Sequence, residues 1–171
     1  MAEIVWFRRD ARLDDNPAWA AGASDGPVCA LFVIDPRLFG AVAERRRDLL
    51  AAGLVDLDER LAALGGRLRV EHGDPVEVVP RVAAALGADS VHINAEVTPY
   101  GVARDAAVAD RVDLITHAGI YAPPPGSILT DAGTPYQVFT PFYKKWRDRD
   151  MEPVEPPRSP DVLAEAGEGV P

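Results

Sequence analysis

Seven consecutive apolar residues, Val28-Cys29-Ala30-Leu31-Phe32-Val33-Ile34, constrain this chain more than any other feature. Successive side chains of a strand point to opposite faces, so a strand with one wet face alternates apolar and polar residues. A run without alternation must be covered on both sides. That is the condition of strands in parallel sheets flanked by helices.

The rest of the sequence supplies partners for such a strand. Glu3-Ile4-Val5-Trp6-Phe7 reads as a strand, and Asp15-Asn16-Pro17 as a helix start, with a capping side chain ahead of a proline in the first turn. Leu50, Leu54, Leu57, Leu61 and Leu64 recur every three or four residues and form one helical stripe, which Gly65-Gly66 ends. Arg67 to Glu71 is a strand, Asp74-Pro75 opens a helix that Gly87 closes, and Ser90 to Asn94 is a fourth strand. A helix after Pro99-Tyr100-Gly101 leads to a fifth strand over Val112 to Ile115. Alternation of this kind predicts an α/β fold: an open, doubly wound, five-stranded parallel sheet with helices on both faces, Rossmann-like. Ligands of such sheets bind outside the carboxyl ends of the strands, which singles out Arg8 to Asp10, Asp35-Pro36 and Asn94 to Tyr100.

Beyond residue 120 the character changes. Pro123-Pro124-Pro125-Gly126 is turn-rich, and Thr140-Pro141 is expected to cap a short helix carrying Phe142, Tyr143, Lys144 and Trp146. Phe139, Phe142 and Trp146 at helical spacing predict a core or interdomain face, with Lys144 and Lys145 solvated. Met151 to Pro171 is rich in Pro, Glu and Gly and has few large apolar residues to offset its ordering entropy. The expected organisation is an α/β domain over 1–150 followed by a linker or tail over 151–171.

Composition removes several function classes. With 18 Lys and Arg against 27 Asp and Glu, the formal charge of −9 opposes unaided binding to a phosphate backbone. No apolar run approaches the roughly 20 residues of a membrane span, and the N-terminus lacks a signal-peptide layout, so the expected compartment is the cytoplasm with no membrane partner. One cysteine, Cys29, allows neither an internal disulfide nor a CxxC metal knuckle, and its apolar run marks it as core. His72, His92 and His117 stand apart from one another without partners at ligand spacing, so no metal site is expected. There is no GxxxxGK[ST] loop, no GxGxxG after the first strand and no GxSxG elbow.

Two arginine clusters stand out. Arg8, Arg9 and Arg12 sit with Asp10, Asp14 and Asp15 between a buried strand and a helix start. They read either as a salt-bridged loop with Asn16 or Asp15 as the cap, or as a loop that turns one arginine toward an anionic or planar ligand. Arg45-Arg46-Arg47 opens the long helix, where cations oppose the helix dipole, and is either solvated or similarly directed.

Four segments in order carry a resemblance: WFRRDARLDDNPA (Trp6 to Ala18), LFVIDP (Leu31 to Pro36), INAEVTPYGVARD (Ile93 to Asp105) and GTPYQVFTPFYKKW (Gly133 to Trp146). Over about residues 2 to 150 the chain resembles the N-terminal α/β domain of the DNA photolyase/cryptochrome family. Photolyases of this type are carbon–carbon lyases that use FAD and blue light to split cyclobutane pyrimidine dimers, with a second antenna chromophore feeding energy to the flavin. In the family the FAD pocket, the lesion pocket, the basic DNA-binding face and the tryptophan relay belong to a larger helical C-terminal domain. The resemblance therefore implies an antenna-side domain with no catalytic residues and no repair activity of its own. Its partner is the FAD-binding helical domain, through which alone it would meet damaged DNA. Trp6, Trp19 and Trp146 are then packing residues.

Folate-binding members place an Asn-Glu pair where this sequence has Tyr100-Gly101, so the resemblance favours 8-hydroxy-5-deazaflavin as antenna, with FMN second and folate last. On that similarity Arg9, Arg46 and Glu96 line the chromophore site, with Asp35 and Tyr100 nearby. A guanidinium can stack on or bond to a tricyclic ring, and a carboxylate can accept from ring N–H groups. Competing readings are a stand-alone photolyase-like module that binds a chromophore or nucleotide for signalling or docking, and a domain that only buttresses its partner. A generic adenine-nucleotide hydrolase domain would need an SGGxDS-type loop, which is absent.

Overall fold

The computed structural model describes residues 2–24, 26–40, 42–121, 123–150, 153–165 and 167–169. The apolar run lies in β2 (Pro27–Ile34), buried from Val28 onward, at the heart of a parallel sheet. β1 (Ala2–Phe7) pairs with β2 on one side, and β3 (Leu68–His72) pairs with it on the other. β4 (Ala88–Asn94) returns to the free side of β1, and β5 (Leu114–His117) completes the order β3-β2-β1-β4-β5. The order reverses between β1 and β4, which is where an open α/β sheet opens its crevice.

Each face has its own core. On one, Trp19 of α1 (Pro17–Gly22) and Leu54, Leu57 and Leu61 of α3 (Glu44–Ala63) pack on Val5, Phe7, Ala30 and Phe32. The three leucines are fully buried, a contribution of about 1.5–3 kcal/mol apiece. On the other, Val78, Val79 and Val82 of α4 (Pro75–Leu86) and Val108 of α5 (Pro99–Ala109) cover Ile4, Trp6, Cys29 and Leu31. Cys29 is core, and burial pushes its thiol up to about 12. A one-turn helix, α2 (Pro36–Phe39), follows β2 directly.

The caps explain where these helices begin. Asn16 accepts from Trp19 N, Asp35 from Arg37 N, Asp74 from Val76 N and Thr98 from Gly101 N, each with a proline next in sequence. Gly87 closes α4 in the left-handed conformation.

Three expectations are corrected. The fifth strand begins at Leu114, not Val112. α6 (Phe139–Arg147) starts after Val138 with no side-chain cap, which puts Thr140 inside the helix. α6 also buries no residue, so of the two expected roles of its aromatic stripe, core or interdomain face, the core is the one overturned. Phe139 stacks on Tyr143 and Tyr143 on Trp146, with Phe139 71% exposed.

Part of the expected tail is docked as well. Asp161–Val162 forms β6, which pairs in parallel with Pro27 and Val28 below the start of β3. Val162 is buried in the core on the α1 and α3 side, and a Cβ on Gly66 would meet its Cβ at 2.4 Å. Gly167 then bridges to Val70 along the outer edge of β3. Backbone pairing with an otherwise open edge, plus one valine, holds a segment whose composition reads as linker. Met151, Glu152, Ala166, Val170 and Pro171 of that stretch lie outside the described residues.

Candidate functional site

The carboxyl edge of the sheet carries two structures side by side. The first fills the crevice between β1 and β4. Arg8, with its side chain 5% exposed, donates from Nη1 to Asp105 Oδ2 at 2.8 Å and from Nη2 to the Asn94 carbonyl. Asn94 is fully buried: its Nδ2 donates to Asn16 Oδ1 (2.7 Å) and Asp10 Oδ2 (2.5 Å), and its Oδ1 accepts from Ala18 N. Asp10 also accepts from Arg8 N. Burial pulls the Arg8 guanidinium below its ordinary value, and Asp105 opposes that shift. The chain closes over this plug at Gly119, where a Cβ would stand 2.3 Å from Asn94 Oδ1, and Arg12 donates to the Gly119 carbonyl. Asn16 is thus the cap, but the loop is hydrogen-bonded rather than salt-bridged within itself: Arg8 takes its carboxylate from Asp105 on α5, and Arg12 donates to the backbone carbonyls of Asp15 and Gly119.

The second structure is a cleft of about 470 Å³ beside the plug, within the size range of small-molecule sites. Trp6, Phe32 and Ile34 from the ends of β1 and β2 form a buried apolar floor. Leu38, Phe39 and Leu50 from α2 and α3 extend it toward solvent. The opposite side is built from the β4–α5 connection and the first turns of α5: Glu96, Thr98, Tyr100, Gly101 and Arg104.

All five residues singled out from the sequence, Arg9, Asp35, Arg46, Glu96 and Tyr100, line this one cleft. Glu96 is a carboxylate with its side chain only 3% exposed, held 3.6 Å from Arg9 Nη1 and accepting from Thr98 Oγ1 at 3.2 Å. Arg9 is 55% exposed and also reaches Tyr121 Oη at 3.4 Å. Tyr100 donates its hydroxyl to Asp35 Oδ2, while Asp35 Oδ1 caps α2, so both oxygens of Asp35 have protein partners. Burial raises the Tyr100 phenol above its ordinary value, and the Asp35 bond and charge add to the rise. Arg46 stands in the first turn of α3 on the rim.

Sequence reasoning missed Arg104. Its guanidinium lies 4.8 Å from the Trp6 ring centroid and 5.8 Å from that of Tyr100, and it bonds to Asp105 Oδ1 at 2.8 and 2.9 Å. Arg8 also lies over Trp6, at 5.1 Å, so cations contact the indole of the floor. The available signal was Tyr100 four residues earlier, one turn back on the same helix face. Two buried donors of this wall, Trp6 Nε1 and Arg8 Nε, have no hydrogen-bond partner. The described residues contain no group of three or more His, Cys, Asp or Glu able to hold a metal ion.

The DNA photolyase family model matches residues 3–160. The chain belongs to the DNA photolyase family. A deoxyribodipyrimidine photo-lyase of Halobacterium salinarum is 37% identical over 177 residues, which cover 95% of this chain and 37% of that protein. Among solved structures, a bacterial class III photolyase from Agrobacterium tumefaciens superposes with a TM-score of 0.86 at 28% identity, covering 99% of this chain and 37% of that one. An archaeal photolyase from Sulfolobus tokodaii, described with two FAD molecules that imply a novel light-harvesting cofactor, superposes with a TM-score of 0.80 at 27% identity, covering 95% of this chain and 38% of that one. The chain thus spans a little more than a third of the length of these relatives. No helix among the described residues is long and apolar enough to cross a membrane.

Proposed function

We propose that this chain is the antenna domain of a blue-light, FAD-dependent photolyase that repairs cyclobutane pyrimidine dimers, and that its cleft holds the light-harvesting chromophore. The observation that carries the reading is the pairing, in one cleft, of a broad apolar floor with a nearly inaccessible carboxylate, Glu96. A tricyclic ring has the matching polarity: flat apolar faces and an N–H edge able to donate to a buried acceptor. Arg104 and Tyr100 stiffen the wall on the α5 side through Asp105 and Asp35.

Within this reading 8-hydroxy-5-deazaflavin is the first choice, FMN the second. Folate held through a carboxylate at position 101 does not fit, because Gly101 offers none and a Cβ there would lie 2.8 Å from Glu96 Cβ. The domain itself is 1–150, with the docked part of 151–171 leading toward a FAD-binding helical partner domain that supplies catalysis and contact with damaged DNA. The chain alone would then lack repair activity, and its compartment would be the cytoplasm.

Fluorescence titration of the purified chain with 8-hydroxy-5-deazaflavin, FMN and a reduced folate tests the proposal. Saturable deazaflavin binding, weakened at least tenfold in Glu96→Ala, is expected. A chain that binds none of the three is no antenna, and the domain then serves only as a buttress.

A further inference from the structure

His92 and His117 lie apart in sequence and outside the cleft, yet β4 and β5 bring their rings together. His92 is 8% exposed, and its Nδ1 stands 3.0 Å from His117 Nε2, with the ring planes 12° apart. α1 packs across His92 at Gly22, where a Cβ would meet the imidazole at 3.1 Å. The partners fix where the protons sit. Ser90 gives its one hydroxyl proton to Glu3 Oε2, so at 3.1 Å it accepts from His92 Nε2. A neutral His92 then has a bare Nδ1, and His117 Nε2 donates to it. The result is a directed chain from the half-buried His117 through His92 and Ser90 to the Glu3 carboxylate.

Such a chain holds one added proton but not two. The first leaves an N–H···N bond between the rings, with Glu3 Oε2 3.4 Å from His92 Nε2 to balance the charge. A second would set N–H against N–H across 3.0 Å, so it enters only when the rings part. Of the other acidic groups on these strands, Asp89 of β4 and Asp113 at the entry to β5 are exposed, and α1 carries no titratable side chain. Burial, and then the neighbouring His92, holds the His117 imidazole below its ordinary value.

The end of β5 is tied to the carboxyl edge of the sheet. The His117 carbonyl accepts from Ala95 N at 2.6 Å, between the buried Asn94 and Glu96 of the cleft. Two residues on, Gly119 closes over Asn94 and its carbonyl holds Arg12, and Tyr121 then reaches Arg9. We propose that the histidine pair is a proton-operated latch: with at most one proton shared between the rings it holds residues 117–121 down over the plug, and a second proton releases them. Release frees Ala95 and Tyr121 together, so it loosens the Glu96 and Arg9 side of the cleft and leaves the β1–β2 floor in place. The open form binds more protons than the closed one, so opening grows as pH falls below the ordinary histidine value near 6.5.

Amide hydrogen exchange of the chain, corrected for the chemical rate, tests the latch and needs no ligand. Between about pH 7.5 and about pH 5.5 the Ala95 amide is expected to open roughly fivefold more, while amides of the β1–β2 ladder stay unchanged. His117→Gln, whose amide can turn either a donor or an acceptor toward His92, should abolish the rise. Nuclear magnetic resonance of the unsubstituted chain gives an independent check. The His117 ring should take up its proton below the ordinary histidine range, together with the opening at Ala95. An equal acid response in the β1–β2 ladder, a rise that persists in His117→Gln, or proton uptake at His117 with no change at Ala95 overturns the latch. If the variant does not fold, the coincidence of the two events in the unsubstituted chain decides.

Discussion

Arg8 and Arg9 are neighbours in sequence and have opposite fates. Arg8 turns into the crevice between β1 and β4, where Asp105 and the Asn94 carbonyl hold it almost out of contact with water. Arg9 turns to the cleft, half in solvent, with one long contact to Glu96. In the crevice, the polar groups satisfy one another with the exception of Arg8 Nε, and the arrangement is scaffold. In the cleft, cations outnumber their partners and the arrangement is receptive. An arginine-rich motif at a strand end thus serves both ends at once, and partner count rather than residue type tells them apart.

The contrast can be broken most forcefully at Asp105. Asp105→Ala leaves two largely buried guanidiniums without their carboxylate, and a loss of about 3–5 kcal/mol in urea unfolding is expected. A shift under about 1 kcal/mol would mean that the plug is no scaffold.

A smaller effect is expected at alkaline pH, within the cleft itself. The Tyr100 phenol has a raised value in the folded chain, so the folded state keeps its proton after the unfolded state has begun to lose one. The contribution is complete below the ordinary tyrosine value near 10 and disappears as pH climbs through the raised value. In an ultraviolet titration of the four tyrosines, one should therefore ionise late, and Tyr100→Phe should remove that late component. Four tyrosines ionising together would show that the Tyr100–Asp35 bond is not maintained in solution.

The smallest effect belongs to Arg9. Arg9→Ala should change stability by no more than about 0.5 kcal/mol, since its ion pair is long and its side chain half solvated. A larger loss would move Arg9 to the scaffold side and blur the distinction drawn from Arg8.

Much of the fold could be read directly from residues. The unbroken run at Val28 to Ile34 demanded two covering layers, and Asn16 and Asp74 ahead of prolines marked two helix starts. The site was less legible from physics alone. Arg9, Asp35, Arg46, Glu96 and Tyr100 come from three separate stretches of the sequence, two of them reaching into the first turns of α3 and α5, and the family resemblance, not spacing, grouped them. Arg104 looked like any mid-helix cation until its contact with Trp6 was seen, because nothing local reports a stacking partner on another element. Thr140 was misplaced for the opposite reason: a good capping residue is a strong local signal, and α6 begins two residues earlier than that cap would set it, at Phe139. β6 escaped notice because its hold on the sheet is mostly backbone pairing, which composition does not record.

That last strand bears on the order in which the molecule assembles as it is made. Pro27 and Val28 are synthesised early, and their partners Asp161 and Val162 lie far later in the sequence. Until those residues emerge, the lower edge of the most apolar strand has free peptide groups and no neighbour. Contacts so distant in sequence close slowly, which lengthens the time during which that edge can pair with another nascent chain. Gly66, whose missing side chain leaves the slot for Val162, is thus a residue of assembly as much as of the finished fold.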